Sequence, residues 1–163
     1  MAKNKKPDYA ADGDTVTVNR KARFDYAILE KFEAGIELMG TEVKSVRLAN
    51  ASLVDAHADI THGQVWLHNA FIAQYKMGDR MGRPDERRPR RLLMHRHEID
   101  RLEGKLETPG TTLVPLSIYF KNGRAKVELA LARGKKAHDK RHAIQEREQH
   151  REMGRLRKEY DVR

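Results

Sequence analysis

Between Tyr26 and Leu38 apolar side chains fall on every second position: Tyr26, Ile28 and Phe32 share one parity, and Ile36 and Leu38 resume it. Such alternation puts one face of a strand in a core and the other in water. Glu33-Ala34-Gly35 interrupts the run, which predicts a strand, a turn or bulge, and a second strand. Gly40-Thr41 opens a short helix, with Thr41 as its N-cap and Val43 and Val46 three apart on one face. Leu53 to Ile60 predicts a strand whose apolar side carries Val54, Ala56, Ala58 and Ile60. His62-Gly63 turns the chain, and Val65 to Ile72 returns as the partner strand. Gly78, Gly82, Pro84 and Pro89 predict a loop over 76–91. Leu93 to Leu106 predicts a helix, with Ile99, Leu102 and Leu106 at i, i+3 and i+7. The last hairpin has the clearest pattern. Val114, Leu116, Ile118 and Phe120 share one parity, Asn122-Gly123 is a strong two-residue turn signal, and Val127, Leu129 and Leu131 form the returning face.

Short strands joined as hairpins, with helices between them rather than alternating one for one, predict a mainly β fold. At this size the natural candidate is a small antiparallel oligonucleotide-binding (OB-type) barrel of about six strands, with two or three short helices. The 163 residues suffice for one domain of roughly 110–130 residues plus tails. Residues 1–18 lack a pattern and are expected to be a mobile leader. Residues 19–132 are expected to form the barrel, and 133–163 a basic C-terminal tail.

Charge changes the picture of that tail. The chain carries 33 Lys and Arg against 24 Asp and Glu, a formal net charge of +9. Residues 133–163 hold 11 basic and 6 acidic side chains, so +5 of the excess sits in the last fifth. Ile144, Leu156 and Val162 are the tail's aliphatic core formers, too few to offset its ordering entropy. From Ala137 onward there is no Pro, and helix-favouring residues dominate. The tail is therefore expected to be disordered when free and helical against a polyanion. A second basic stretch runs from Arg80 to Arg101, centred on Arg87, Arg88, Arg90 and Arg91; a solvated loop and an anion-binding face explain it equally well. A strongly basic chain points most simply to nucleic acid.

The absence of cysteine excludes disulfides, thiolate catalysis and cysteine-bound zinc, and fits a reducing compartment. No run of 18 apolar residues exists to span a membrane, and the basic N-terminus lacks the apolar stretch of a signal peptide. Asp55, His57 and Asp59 alternate along one predicted strand, which would give two carboxylates and an imidazole on one face. Such a set could hold a divalent metal and serve a nuclease, but the wet face of an antiparallel strand explains it more simply. His95 and His97 lie in or beside the second helix, and His138 and His142 in the tail. No nucleophile signature or phosphate-binding glycine loop appears, so neither catalysis nor a cofactor is expected. Tyr119 and Phe120 precede Lys121, Arg124 and Lys126, an aromatic and basic mixture on which bases can stack beside a phosphate track.

Several stretches together resemble the SmpB family of SsrA-binding proteins. They are Asn19-Arg20-Lys21-Ala22-Arg23, Phe32-Glu33-Ala34-Gly35, Gly40-Thr41-Glu42-Val43-Lys44-Ser45, Leu116-Ser117-Ile118-Tyr119-Phe120 and Gly134-Lys135-Lys136-Ala137-His138-Asp139-Lys140-Arg141. Each is weak alone, but the ordered set from about Asn19 to about Leu156 is specific. The resemblance implies a cytoplasmic, non-enzymatic OB-type adaptor for trans-translation. It would bind the tRNA-like domain of transfer-messenger RNA (tmRNA), stand in for the missing anticodon arm, and deliver the RNA to stalled ribosomes. Its further implied partners are the small-subunit RNA at the decoding centre and message channel, where the tail forms a helix, and elongation factor Tu. Carried over residue by residue, the RNA contacts are Glu33, Leu93, His95 and Lys126. The ribosome-binding tail set is Gly134, Lys135, Lys136, His138, Asp139, Lys140, Arg141 and Leu156. His95 stands where the family pattern has Asn, and Arg157 where it has a second apolar residue. The remaining alternative is a generic single-stranded RNA binder on the same barrel.

Overall fold

The computed structural model describes residues 10–77 and 83–161. In chain order the elements are β1 (Thr15–Val18), α1 (Arg20–Asp25), β2 (Tyr26–Ile36), α2 (Gly40–Arg47), β3 (Ala51–Ser52), β4 (His57–Thr61), β5 (Gln64–His68), β6 (Phe71–Ile72), β7 (Arg90–Leu93), α3 (Arg96–Leu106), β8 (Thr111–Lys121), β9 (Arg124–Gly134) and α4 (Ala137–Asp161). Strands β8, β4, β5, β7, β2 and β9 are neighbours in that order, and β9 pairs back onto β8. The result is a closed ring of six antiparallel strands, as the sequence predicts. Closure leaves few unpaired strand edges. β1 adds to β8, and β3 with β6 forms a separate two-stranded ribbon.

The ring closes over two apolar clusters on opposite faces of its long strands. Phe32, Leu67, Leu113, Phe120 and Leu129 belong to the larger one inside the barrel, with Val46 of α2 and Leu102 of α3. Ala22 of α1, Val114, Leu116, Ala130 and Ala132 form the smaller one, with Tyr26 and Ile28 packed against it. Two bulges make this division possible. β2 shifts register against β9 between Ile28 and Glu30, and β8 shifts against β9 between Pro115 and Ser117. One extra residue reverses which face the following side chains occupy. Thus Val114 and Leu116 pack outside while Ile118 and Phe120, of the same parity, pack inside.

Several sequence expectations change here. β2 is one continuous strand, with its bulge at Leu29 and no turn at Glu33-Ala34-Gly35. Of the expected leader, residues 15–18 form β1 on β8, while residues 1–9 lie outside the described residues. Met39, not Thr41, caps α2, and its N–H donates to a Glu42 carboxylate oxygen at 2.9 Å. The helix after the basic loop begins at Arg96, because Arg90–Leu93 pairs as β7 between β5 and β2. Residues 78–82 of that loop lie outside the described residues. The expected strand over Leu53–Ile60 is a turn as far as Ala56, and Val54 is exposed. Both hairpin turns hold: His62-Gly63 and Asn122-Gly123 have positive φ at both positions, as a type I′ turn requires.

Arg90 is the least expected core residue. It is fully buried and bonds the buried Glu42 twice, at 2.8 and 3.0 Å, as well as the carbonyls of Ala70 and Glu86. Arg88 takes the other Glu42 oxygen at 2.5 Å. The basic stretch thus spends two of its arginines tying its own loop to α2. Glu30 does the same for α3, accepting from Arg101 at 2.6 Å and from Lys105. That ties the C-terminal half of α3 to β2, while the Arg96 guanidinium donates to the Gly63 carbonyl at 3.0 Å and holds the start of the helix.

Candidate nucleic-acid interface

Adjacent strands β7, β2 and β9 carry the site. Gly35 on β2 is paired with Leu93 of β7 on one side and Lys126 of β9 on the other. Glu33 lies two residues earlier on the same face of β2. Past Leu93 the chain turns through Met94 into α3, with His95 as N-cap; the His95 N–H donates to Glu98 at 3.2 Å. The result is one shallow depression lined by Glu33, Gly35, Leu93, Met94, His95, Glu98 and Lys126. All four residues of the expected RNA-contact set meet there, although 93 positions separate the first from the last. Gly35 keeps the floor open, since a Cβ there would sit 3.3 Å from the Leu93 Cβ. The Leu93 side chain stands half exposed at the rim. The His95 and His97 rings stack with centroids 5.6 Å apart.

The Glu33 carboxylate is held on its other flank. The Tyr119 phenol donates to one oxygen, and Lys121 Nζ lies 3.3 Å from both. The phenol, Lys121 and Lys126 together outweigh partial burial and hold the Glu33 carboxyl below its usual value. Burial and the facing Glu33 push the Tyr119 phenol well above its own. Counting back from Asn122-Gly123 pairs Tyr119 with Lys126, as observed, but the contact with Glu33 depends on β2 lying beside β9 and is not legible in the hairpin alone.

The tail set lies elsewhere. From Lys126 to Gly134 is eight residues of β9, about 27 Å of strand. Gly134 pairs with Tyr26 as the last residue of β9, so the barrel extends past the expected boundary at 132. The Lys135 N–H donates to the Asp25 carbonyl at 2.9 Å, and α4 follows. His138, Asp139, Lys140 and Arg141 occupy its first turns, and Leu156 lies half exposed further along. Described α4 buries no side chain. Its contacts with α1 include Lys140 to Asp25 at 3.2 Å and the Arg147 guanidinium 5.5 Å from the Phe24 ring centroid. The segment expected to be disordered when free is a helix here. Its length exceeds the roughly 12–15 residues below which an unpacked helix is marginal, and its residues are good helix formers.

The Asp55, His57, Asp59 set does not share a strand face. Asp55 sits in the turn before β4 with φ of 62°, and its carboxylate meets Lys21 at 2.7 Å. The His57 ring stacks on His68 at 5.2 Å, and Asp59 lies 3.1 Å from His68 Nε2. Among the described residues, no three His, Cys, Asp or Glu side chains are placed to hold a metal ion. No described helix is long and apolar enough to cross a membrane.

Residues 16–159 match the family model described as SmpB protein. The chain is 56% identical over 155 residues to the SsrA-binding protein of Thermobifida fusca, spanning 95% of this chain and 96% of that one. It is 52% identical over 155 residues to the SsrA-binding protein of Mycolicibacterium vanbaalenii, spanning 95% and 93%. A solved structure described as "tmRNA-SmpB: a journey to the center of the bacterial ribosome" superposes with a TM-score of 0.62 at 52% identity. That match covers 74% of this chain and 85% of the other.

Proposed function

Because the chain belongs to the SmpB family, we propose that it binds tmRNA through the depression between β7, β2 and β9 and acts with it on ribosomes in trans-translation. The convergence of Glu33, Leu93, His95 and Lys126, from three separate segments of the chain, on one open concavity carries this reading. Each contributes a distinct chemistry. Lys126 offers a point charge to a phosphate. Leu93 presents an apolar surface to a base or ribose face. The His95 imidazole can donate one hydrogen bond or stack. The ionised Glu33 can only accept, so it reads a base amino group or a ribose hydroxyl.

The site is built for recognition. Its partner is the tRNA-like domain of tmRNA, and the protein works as a cytoplasmic, non-catalytic adaptor. The tail supplies the second contact: Lys135, Lys136, Lys140 and Arg141 neutralise ribosomal RNA phosphates at the decoding centre, and His138 stacks there. Gly134 is where the last strand hands over to that tail, and Asp139 lies among its cations. Leu156 follows the helix into the message channel. Elongation factor Tu is a further partner of the complex.

Glu33→Ala and Lys126→Ala are each expected to cost about 1–3 kcal/mol of tmRNA binding, because each removes a charged hydrogen-bonding partner. Both side chains are on the surface, so thermal melts should stay within about 2 °C of the parent. Fluorescence titration of the full chain with tmRNA measures the affinity. Unchanged binding with both residues replaced would rule out this face.

A further inference from the structure

We propose that Tyr119 is a positioning residue for tmRNA binding: its phenol O–H holds one oxygen of the Glu33 carboxylate and leaves the other facing the depression. The inference rests on Glu33 being an RNA contact, as read above. Strand order puts Tyr119 of β8 two strands away from Glu33 of β2, across β9. The phenol therefore reaches over β9 to make its bond, beside its cross-strand partner Lys126.

The surrounding charges single out Tyr119 for this task. Lys121 also touches Glu33, but its side chain is 55% exposed. A long, exposed lysine swings readily to a phosphate and fixes no direction. A tyrosine has two side-chain torsions and a part-buried ring, so it holds its partner at low entropic cost. The nearest competing acceptor, Glu128, is paired opposite Glu33. It already takes Lys31 at 3.0 Å, Ser117 at 3.2 Å and Arg23 at 3.4 Å. On the far side of the depression stand His95 and Glu98 of the α3 start. Once RNA draws Lys121 and Lys126 toward its phosphates, the phenol remains as Glu33's fixed donor. A phenol stays protonated up to and beyond neutral pH, so it remains a donor throughout.

Tyr119→Phe keeps the ring and any stacking but removes the donor. In the full chain it is expected to weaken tmRNA binding about 5- to 10-fold at neutral pH, as loss of a charge-assisted hydrogen bond would. In a Glu33→Ala background, which has no acceptor for the phenol, it should add nothing. Titration across pH 4–7 gives the second readout. An ionised Glu33 accepts the stronger, charge-assisted bonds, so affinity is full above its pKa and declines as pH falls through it. Tyr119→Phe removes the largest influence holding that pKa down, so the acid-side loss should move to higher pH. The shift should be absent when Glu33 is Gln. Wild-type affinity for Tyr119→Phe, or an equal loss in both backgrounds, would overturn the positioning role and leave Glu33 as an RNA contact. If Glu33→Ala itself binds tmRNA like the parent, the reading of Glu33 falls, and the role of Tyr119 with it.

Discussion

Ending the chain after Lys136 is expected to leave the barrel and its tmRNA affinity within about twofold of the parent while abolishing peptide tagging on stalled ribosomes. The reason lies in how little α4 contributes to the fold. It buries no side chain, and its described contacts with α1 include one ion pair and one cation–π contact. At exposed sites each of these is worth about 0–1 kcal/mol. The cut belongs after Lys136, because Arg133 and Gly134 still pair with β2 and the Lys135 N–H still bonds Asp25. An unpacked helix draws its stability from propensity alone and frays progressively on warming. Circular dichroism of the full and shortened chains should therefore differ by a helical spectrum that melts gradually and well below the barrel. A shortened protein that still tags nascent chains would remove the tail's proposed role. A difference spectrum that melts together with the barrel would mean that α4 is packed after all.

The second large effect is expected in the core. Arg90→Met should lower unfolding stability by about 3–5 kcal/mol, because it leaves the buried Glu42 carboxylate without its buried partner. For a domain of this size that is a fall of about 10–20 °C in melting temperature. Replacing Glu42 with Gln as well should recover part of the loss, since the uncompensated charge is then gone. The pH dependence follows from Glu42. Burial pushes its carboxyl up, but Arg88, the Met39 N–H and Arg90 together outweigh burial and hold it below the usual value. Stability from a carboxyl depressed in this way is complete above its unfolded value and fades as pH falls through its folded value. The stability gap between the parent and Glu42→Gln should therefore narrow from pH 5 toward pH 3. A gap that stays constant over that range would show that the carboxylate's charge is not what stabilises the loop.

Local signals carried much of this architecture. Asn122-Gly123 set the register of the longest hairpin, and from it follow the Tyr119–Lys126 pairing and the inward face of β9. What local signals could not carry is anything that depends on a neighbouring strand. The bulge at Leu29 adds one residue relative to β9, and nothing in Ile28-Leu29-Glu30 announces it. The same holds for Leu116, whose parity matches Ile118 although it packs on the opposite face. Arg90 looked like one more loop arginine because Glu42, which buries it, lies 48 positions earlier. Asp55 looked like a strand residue because alternation was read through a turn that only its positive φ reveals.

The candidate site divides in the same way. Glu33, Leu93, His95 and Lys126 were named from family resemblance, and no spacing in the sequence connects them. The order β7, β2, β9 brings them together, and strand order is a property of the closed ring. Tyr119 joins them for the same reason, since its reach to Glu33 exists only with β9 lying between β8 and β2.

Competition binding puts the central claim to its most direct test. The full chain, held on labelled tmRNA, is challenged with unlabelled tmRNA and with an unstructured RNA of equal length at physiological salt. Tight discrimination is expected, with the unstructured RNA at least tenfold weaker as competitor, and the Glu33→Ala, Lys126→Ala double variant should lose most of that difference. Equal competition by the two RNAs would contradict the account and leave a basic barrel that binds single strands without choosing among them.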